Sequence, residues 1–265
     1  MATNGAGHQR RRSSDRLRGG GQRAAVGAAA RLLRGSHDVA VCGLRRRACR
    51  GPLLVLVDAR GHGGSDAPYD VDSYRLDRQV GDVVAVLDAL DIYRAAFWGA
   101  SMGGIIGLNL LAGHPERLTA LIAGGAHGER VTAAPAEVQQ EIGLFRSRGT
   151  APFIEMLERQ GPLPPWMRAA MQAADPNALA ALTAALDSRE GVLERLVRTS
   201  APVLLLAGDH DARLQSIRDT ADARRGACWC IAGLLAWCVV GSLREAGCAG
   251  SAGSSGCELG LCHVR

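Results

Sequence analysis

Ser101 sits in Gly99-Ala100-Ser101-Met102-Gly103, a serine with a glycine two residues to either side. That spacing fits a sharp strand-to-helix turn that presents the serine oxygen as a nucleophile. Glycines are needed where the backbone passes so close to neighbouring elements that a Cβ has no room. The helix opening after the serine favours developing negative charge, and the Met102 backbone N–H points toward a bound oxyanion. A serine used this way needs a base to take its proton and an acid to orient that base. Asp211, just past the apolar run Pro202 to Gly208, is one candidate acid, and Asp209 competes with it. The base is harder to find. His62 belongs to a Gly-rich loop, and His114 and His127 follow the serine's helix and the next strand, where surface or core roles are the default. His210 adjoins the acid and points the wrong way, while His263 lies in a Gly/Ser-rich tail.

These residues need elements to hold them. Leu53 to Val57 reads as a strand buried on both faces, ending in the Gly-rich run Asp58 to Asp66. Leu76, Val80, Val83, Val84, Leu87 and Leu90 recur at three- and four-residue steps, which predicts an amphipathic helix over about 73–91. Ala95 to Trp98 is the next strand, Ile105 to Leu111 a helix, and Leu118 to Ile122 a further strand. Residues 135 to 199 show helical stretches and no strand before the sheet pattern returns at Pro202. The alternation predicts an α/β fold, a mostly parallel central sheet flanked by helices with a helical insertion.

Composition divides the chain differently. Of 265 residues, 47% are apolar, ample for a core and against disorder throughout. The net charge of +5 is uneven: residues 1–50 hold 12 Arg against 2 acids, residues 51–225 hold 17 Arg against 22 acids, and residues 226–265 hold 2 of each. The body is therefore acidic, and the first 50 residues, broken by arginines, are expected to be disordered. No aromatic residue is interleaved with those arginines, so nucleic acid is not an expected partner. The apolar run Ala227 to Val240 is too short to span a bilayer, and no export signal is apparent, so neither a membrane nor a secreted location is expected; the reading is cytoplasmic. All eight cysteines fall in residues 1–50 and 226–265, without the paired spacing of a zinc site. A chain with 31 Arg, no Lys and much Ala and Gly suggests a G+C-rich, bacterial gene. The expected parts are an atypical Arg-rich segment (1–50), a core (51–225) and an atypical Cys/Gly-rich tail (226–265).

Three motifs in order resemble the α/β-hydrolase fold family, in particular its small bacterial serine esterases and lactonases: Asp58-x-Arg60-Gly61-His62-Gly63-x-Ser65, Gly99-x-Ser101-x-Gly103 and Gly208-x-x-Asp211. Ala100 to Gly104 is similar to the 3-oxoadipate enol-lactonases. The resemblance implies Ser101 as nucleophile, Asp211 as triad acid, a helical cap over about 135–200, an ester or lactone substrate, and no cofactor or metal. A serine at the elbow sets the chain apart from the carboxylate-nucleophile branches.

Two pieces that the resemblance implies are absent: a His-Gly loop after the first central strand, and a histidine some 25–30 residues past the acid. A shifted reading frame at both ends accounts for both. Ala30-Arg31-Leu32 can be encoded GCA-CGG-CTT, which one base later spells His-Gly, and Ala236-Trp237 as GCA-TGG does the same. The alternative is a chain made as written, a catalytically impaired relative acting at most as a binding module.

Overall fold

The computed structural model describes residues 24–29, residues 54–224 apart from 160 and 187, residues 227–231 and residues 261–263. Four strands alternate with helices in the order expected: β2 (Leu54–Asp58), α1 (Leu76–Ala89), β3 (Ala95–Ala100), α2 (Met102–Gly113), β4 (Leu118–Gly124) and β7 (Val203–Gly208). They join β1 (Ala24–Ala29), β8 (Ala227–Ile231) and β9 (Leu261–His263) in one sheet of order β2-β1-β3-β4-β7-β8-β9. All neighbours are parallel except β8 and β9. The α/β class and the mostly parallel sheet are as the sequence predicts.

Two expectations change. Ala24–Ala29 lies within the segment expected to be disordered, yet it is a central strand, with Ala28 opposite both Val57 and Gly99. Its Ala, Val and Gly composition carries little strand propensity, so pairing on both sides decides its conformation. The stretch 135–199, expected to hold no strand, contains β6 (Ser188–Arg189), which pairs antiparallel with β5 (Val131–Thr132).

Helix α2 is buried along most of its length, from Met102 to Leu111, as a helix apolar all round must be. Gly107 lets it approach the sheet: a Cβ there would lie 2.7 Å from Leu121 Cδ1 and 2.9 Å from the Phe97 ring. Helix α1 turns Val80, Val83 and Leu87 inward and leaves its other face to water.

Between β5 and β6 come α3 (Pro135–Arg148), α4 (Ala151–Glu158), α5 (Pro165–Gln172) and α6 (Pro176–Leu186). Helices α3 and α6 pack on the main core through Val138, Ile142, Phe145 and Leu182. Helices α4 and α5 enclose a second apolar cluster of Ile154, Leu163, Met167 and Met171. Phe153 borders both clusters, its ring 5.9 Å from that of Phe145. Helices α7 (Leu193–Val197) and α8 (Leu214–Ala223) complete the described chain.

Candidate active site

Strand β3 delivers Ser101 into a backbone conformation that side-chain-bearing residues seldom adopt, φ 52° and ψ −115°. Holding a non-glycine residue there costs about 1–3 kcal/mol, so the surroundings must impose it. They do: the Ser101 N–H donates to Gly124 O at 2.7 Å, and its carbonyl accepts the Ile105 N–H at 3.0 Å. The motif's first glycine has a steric cause, because a Cβ on Gly99 would lie 2.4 Å from the Gly103 carbonyl carbon and oxygen. Gly104 is similarly confined, its added Cβ meeting Ala126 Cβ at 2.7 Å. Met102 is the first residue of α2, so its N–H is among the helix donors left without an intrahelical partner. Ser101 and this N–H therefore occupy the carboxyl edge of the sheet, where open α/β folds place ligands.

Asp211 lies on the turn after β7, with its N–H bonded to Gly208 O at 3.1 Å and its carbonyl accepting the Leu214 N–H at 2.9 Å. Its side chain is 2% exposed. Both carboxylate oxygens are engaged by Arg213: Oδ1 accepts from the backbone N–H at 2.9 Å and from Nε at 3.0 Å, and Oδ2 accepts from Nη2 at 3.2 Å. Asp209, the competing acid, is exposed, with His210 Nε2 3.9 Å away. The two sequence candidates thus part by burial.

The histidines fall as follows. His62 is buried in the Gly-rich loop and its Nδ1 lies 3.1 Å from Arg60 O. His114 is half-exposed beside Glu116, and His210 faces water. His263 lies in β9 at the sheet's far edge, its backbone opposite Trp229. His127, expected only in a default surface or core role, is buried on the loop leaving β4. Because β4 stands between β3 and β7, that loop runs between the Ser101 and Asp211 turns. Arg189 Nη2 lies 3.4 Å from His127 Nε2, while Nδ1 is buried with no hydrogen-bond partner. Burial pushes the His127 pKa below its ordinary value, and the Arg189 charge adds to the effect.

The Arg60-Gly61-His62-Gly63 motif has a structural purpose. Arg60 donates to both Asp82 oxygens, at 3.1 and 2.7 Å, tying the loop to α1. Asp58 accepts the Gly64 N–H at 3.0 Å, and a Cβ on Gly63 would collide with that carboxylate at 2.4 Å. No group of metal-ligating side chains occurs among the described residues, and no described helix is long and apolar enough to cross a membrane.

Elbow, buried acid and sheet order define a class, and residues 48–217 match the model of the alpha/beta hydrolase fold. The chain belongs to that family. It is similar to 3-oxoadipate enol-lactonase 2 of Acinetobacter baylyi, 31% identical over 173 residues that make up 60% of this chain and 61% of the relative. The chain thus spans about three fifths of that relative's length. The structure of bottromycin epimerase BotH in complex with bottromycin A2 aligns at TM-score 0.73 and 25% identity, over 87% of this chain and 90% of its own. The enol-lactonase of Burkholderia xenovorans aligns at 0.72 and 20% identity, over the same shares of the two chains, a likeness of fold alone.

Proposed function

We propose that this chain is built to hydrolyse a small carboxylic ester or lactone through an acyl-enzyme on Ser101, without cofactor or metal. Ser101 Oγ bonds to the carbonyl carbon as its proton passes to a water molecule, and the carbonyl electron pair moves onto oxygen near the Met102 N–H. Collapse breaks the ester C–O bond, the alkoxide leaving as alcohol after taking up a proton. Water then attacks the acyl group, giving the carboxylic acid and restoring Ser101. Asp211 is the acid arm of this arrangement. The observation that carries the reading is the strained backbone of Ser101 at the start of α2, which lifts a nucleophile over unpaired helix N–H donors. Nucleic acid and membrane have no part in it, and the setting it suits is the bacterial cytoplasm.

A fluorophosphonate probe tests it: covalent labelling that disappears in Ser101→Ala supports the reading, and a folded chain that never labels overturns it. DNA binding that is salt-sensitive and lost on removing residues 1–50 would instead support a nucleic-acid role.

A second reading, a catalytically impaired relative, is favoured by one feature. Asp211 is bound by Arg213, and no described histidine hydrogen-bonds to it. Lack of one oxyanion donor costs about 10²–10³ in turnover, and a triad without its base keeps about 10³–10⁴ over water. The two readings meet in the reading-frame hypothesis. Ala30-Arg31-Leu32 directly follows β1, which is parallel to β3 and leaves the sheet at the elbow's edge. Ala236-Trp237 comes soon after β8, parallel to β7 and its Asp211 turn. Sequencing the locus decides: alternative frames that encode neither a His-Gly loop nor a late histidine leave the impaired relative standing.

A further inference from the structure

The residue that the serine chemistry leaves unused is His127, and its surroundings are organised around the root of the helical insertion. The chain leaves the core through residues 127–132 and returns through residues 188–192, the two passages running antiparallel. Val131 pairs with Arg189 and Thr132 with Ser188. Arg130 forms an ion pair with Glu190. The Val192 N–H donates to Gly128 O at 2.7 Å, and Gly191 comes so close to Arg130 that a Cβ would lie 2.8 Å from its nitrogen. At the inner end of this double passage Arg189 Nη2 meets His127 Nε2 at 3.4 Å.

A guanidinium can only donate, so Nε2 must present its lone pair and the neutral ring carries its proton on Nδ1. That Nδ1 is the buried atom without a partner. A second proton therefore has one place to go, Nε2, where it would replace the accepted hydrogen bond by a contact between two cations.

We propose that His127 fastens the insertion's return strand in a pH-dependent way: protonation at Nε2 breaks the Arg189 contact and loosens β6 from β5. Four charged groups act on the ring from the elements around it. Arg189 on β6 and Arg213 at the start of α8 oppose protonation, while Glu129 on its own loop and Asp211 on the turn after β7 favour it. Burial and Arg189 prevail, so the ring gives up its second proton more readily than an ordinary histidine. The fastening is closed near neutral pH and opens on acidification, freeing the return path of α3 to α6.

The test is histidine NMR together with amide hydrogen exchange on the full chain, corrected for intrinsic exchange, between about pH 7.5 and about pH 5. One of the seven histidines should titrate below the ordinary range, and that resonance alone should move upward in Arg189→Gln. Protection of residues 131–132 and 188–189 should fall on acidification and should not fall in His127→Asn, which keeps an acceptor oxygen but cannot titrate. Absence of a histidine that titrates low and responds to Arg189→Gln overturns the proposal. So does an unchanged pH-dependent loss of protection in His127→Asn. If His127→Asn does not fold, the wild-type titration and Arg189→Gln still decide. None of these readouts involves Ser101, so their failure is separate from failure of the ester-hydrolysis reading.

Discussion

Ser101 carries two burdens that substitution can separate: its oxygen, and a backbone conformation that glycine adopts freely. Ser101→Gly removes the proposed nucleophile and relieves strain, so it should abolish probe labelling and raise stability by about 1 kcal/mol in urea unfolding. Gly99→Ala acts oppositely. Its Cβ meets Gly103 backbone at 2.4 Å, and a loss of about 3 kcal/mol or more is expected in the same measurement. These two positions were readable from spacing, because the glycine requirement is local to the turn. His127 was not. Along the chain it comes after the elbow's helix and a further strand, and only the sheet order, with β4 between β3 and β7, sets it between the two turns. Its linkage has a definite sign. The folded-state pKa lies below the ordinary 6.5, so the unfolded chain binds a proton that the folded chain resists. Its share of stability is therefore present above about pH 6.5 and is lost as pH falls through the folded-state pKa. The stability difference between wild type and His127→Asn should tilt against wild type on acidification, as thermal melts over that range will show.

At the level of elements, legibility follows how far each element's conformation is set by its own residues. Helix α1 was plain because Val80, Val83 and Leu87 mark one face. Strand β1 was missed because Ala24–Ala29 has almost no strand-forming residues and owes its place to β2 and β3. Strands β5 and β6, two residues each, are below the length at which alternation can be seen. The loop carrying Arg60 is tied to α1 through Asp82, with both side chains partly exposed at 25% and 39%. Water screens such a pair, so Arg60→Ala should cost no more than about 1 kcal/mol by chemical denaturation. Tyr69 reaches the insertion by donating its hydroxyl to Asp175 at 2.8 Å, the carboxylate that also receives the Asn177 N–H. Tyr69→Phe should leave the fold intact and raise exchange at the start of α6.

For the whole molecule, the net charge describes no single surface, since the acidic residues lie in the hydrolase-like body and the arginines concentrate in residues 1–50. The sheet runs beyond that body on one side: β8 and β9 come from the Cys/Gly-rich tail, β8 pairing with β7 and β9 with β8. Ending the chain at residue 225 would turn β7, with Leu204 to Leu206, into an open edge. Such a truncation should self-associate, seen as light scattering that grows with concentration, while the full chain does not.

The paired helices α4 and α5 shelter Ile154, Leu163, Met167 and Met171 among themselves, with Phe153 at the border of the main core. A block that fills its own interior can be rewritten with little effect on what it stands upon. Evolution, or a protein engineer, has in residues 151–172 a replaceable part: new side chains there would leave the elbow and the sheet as they are.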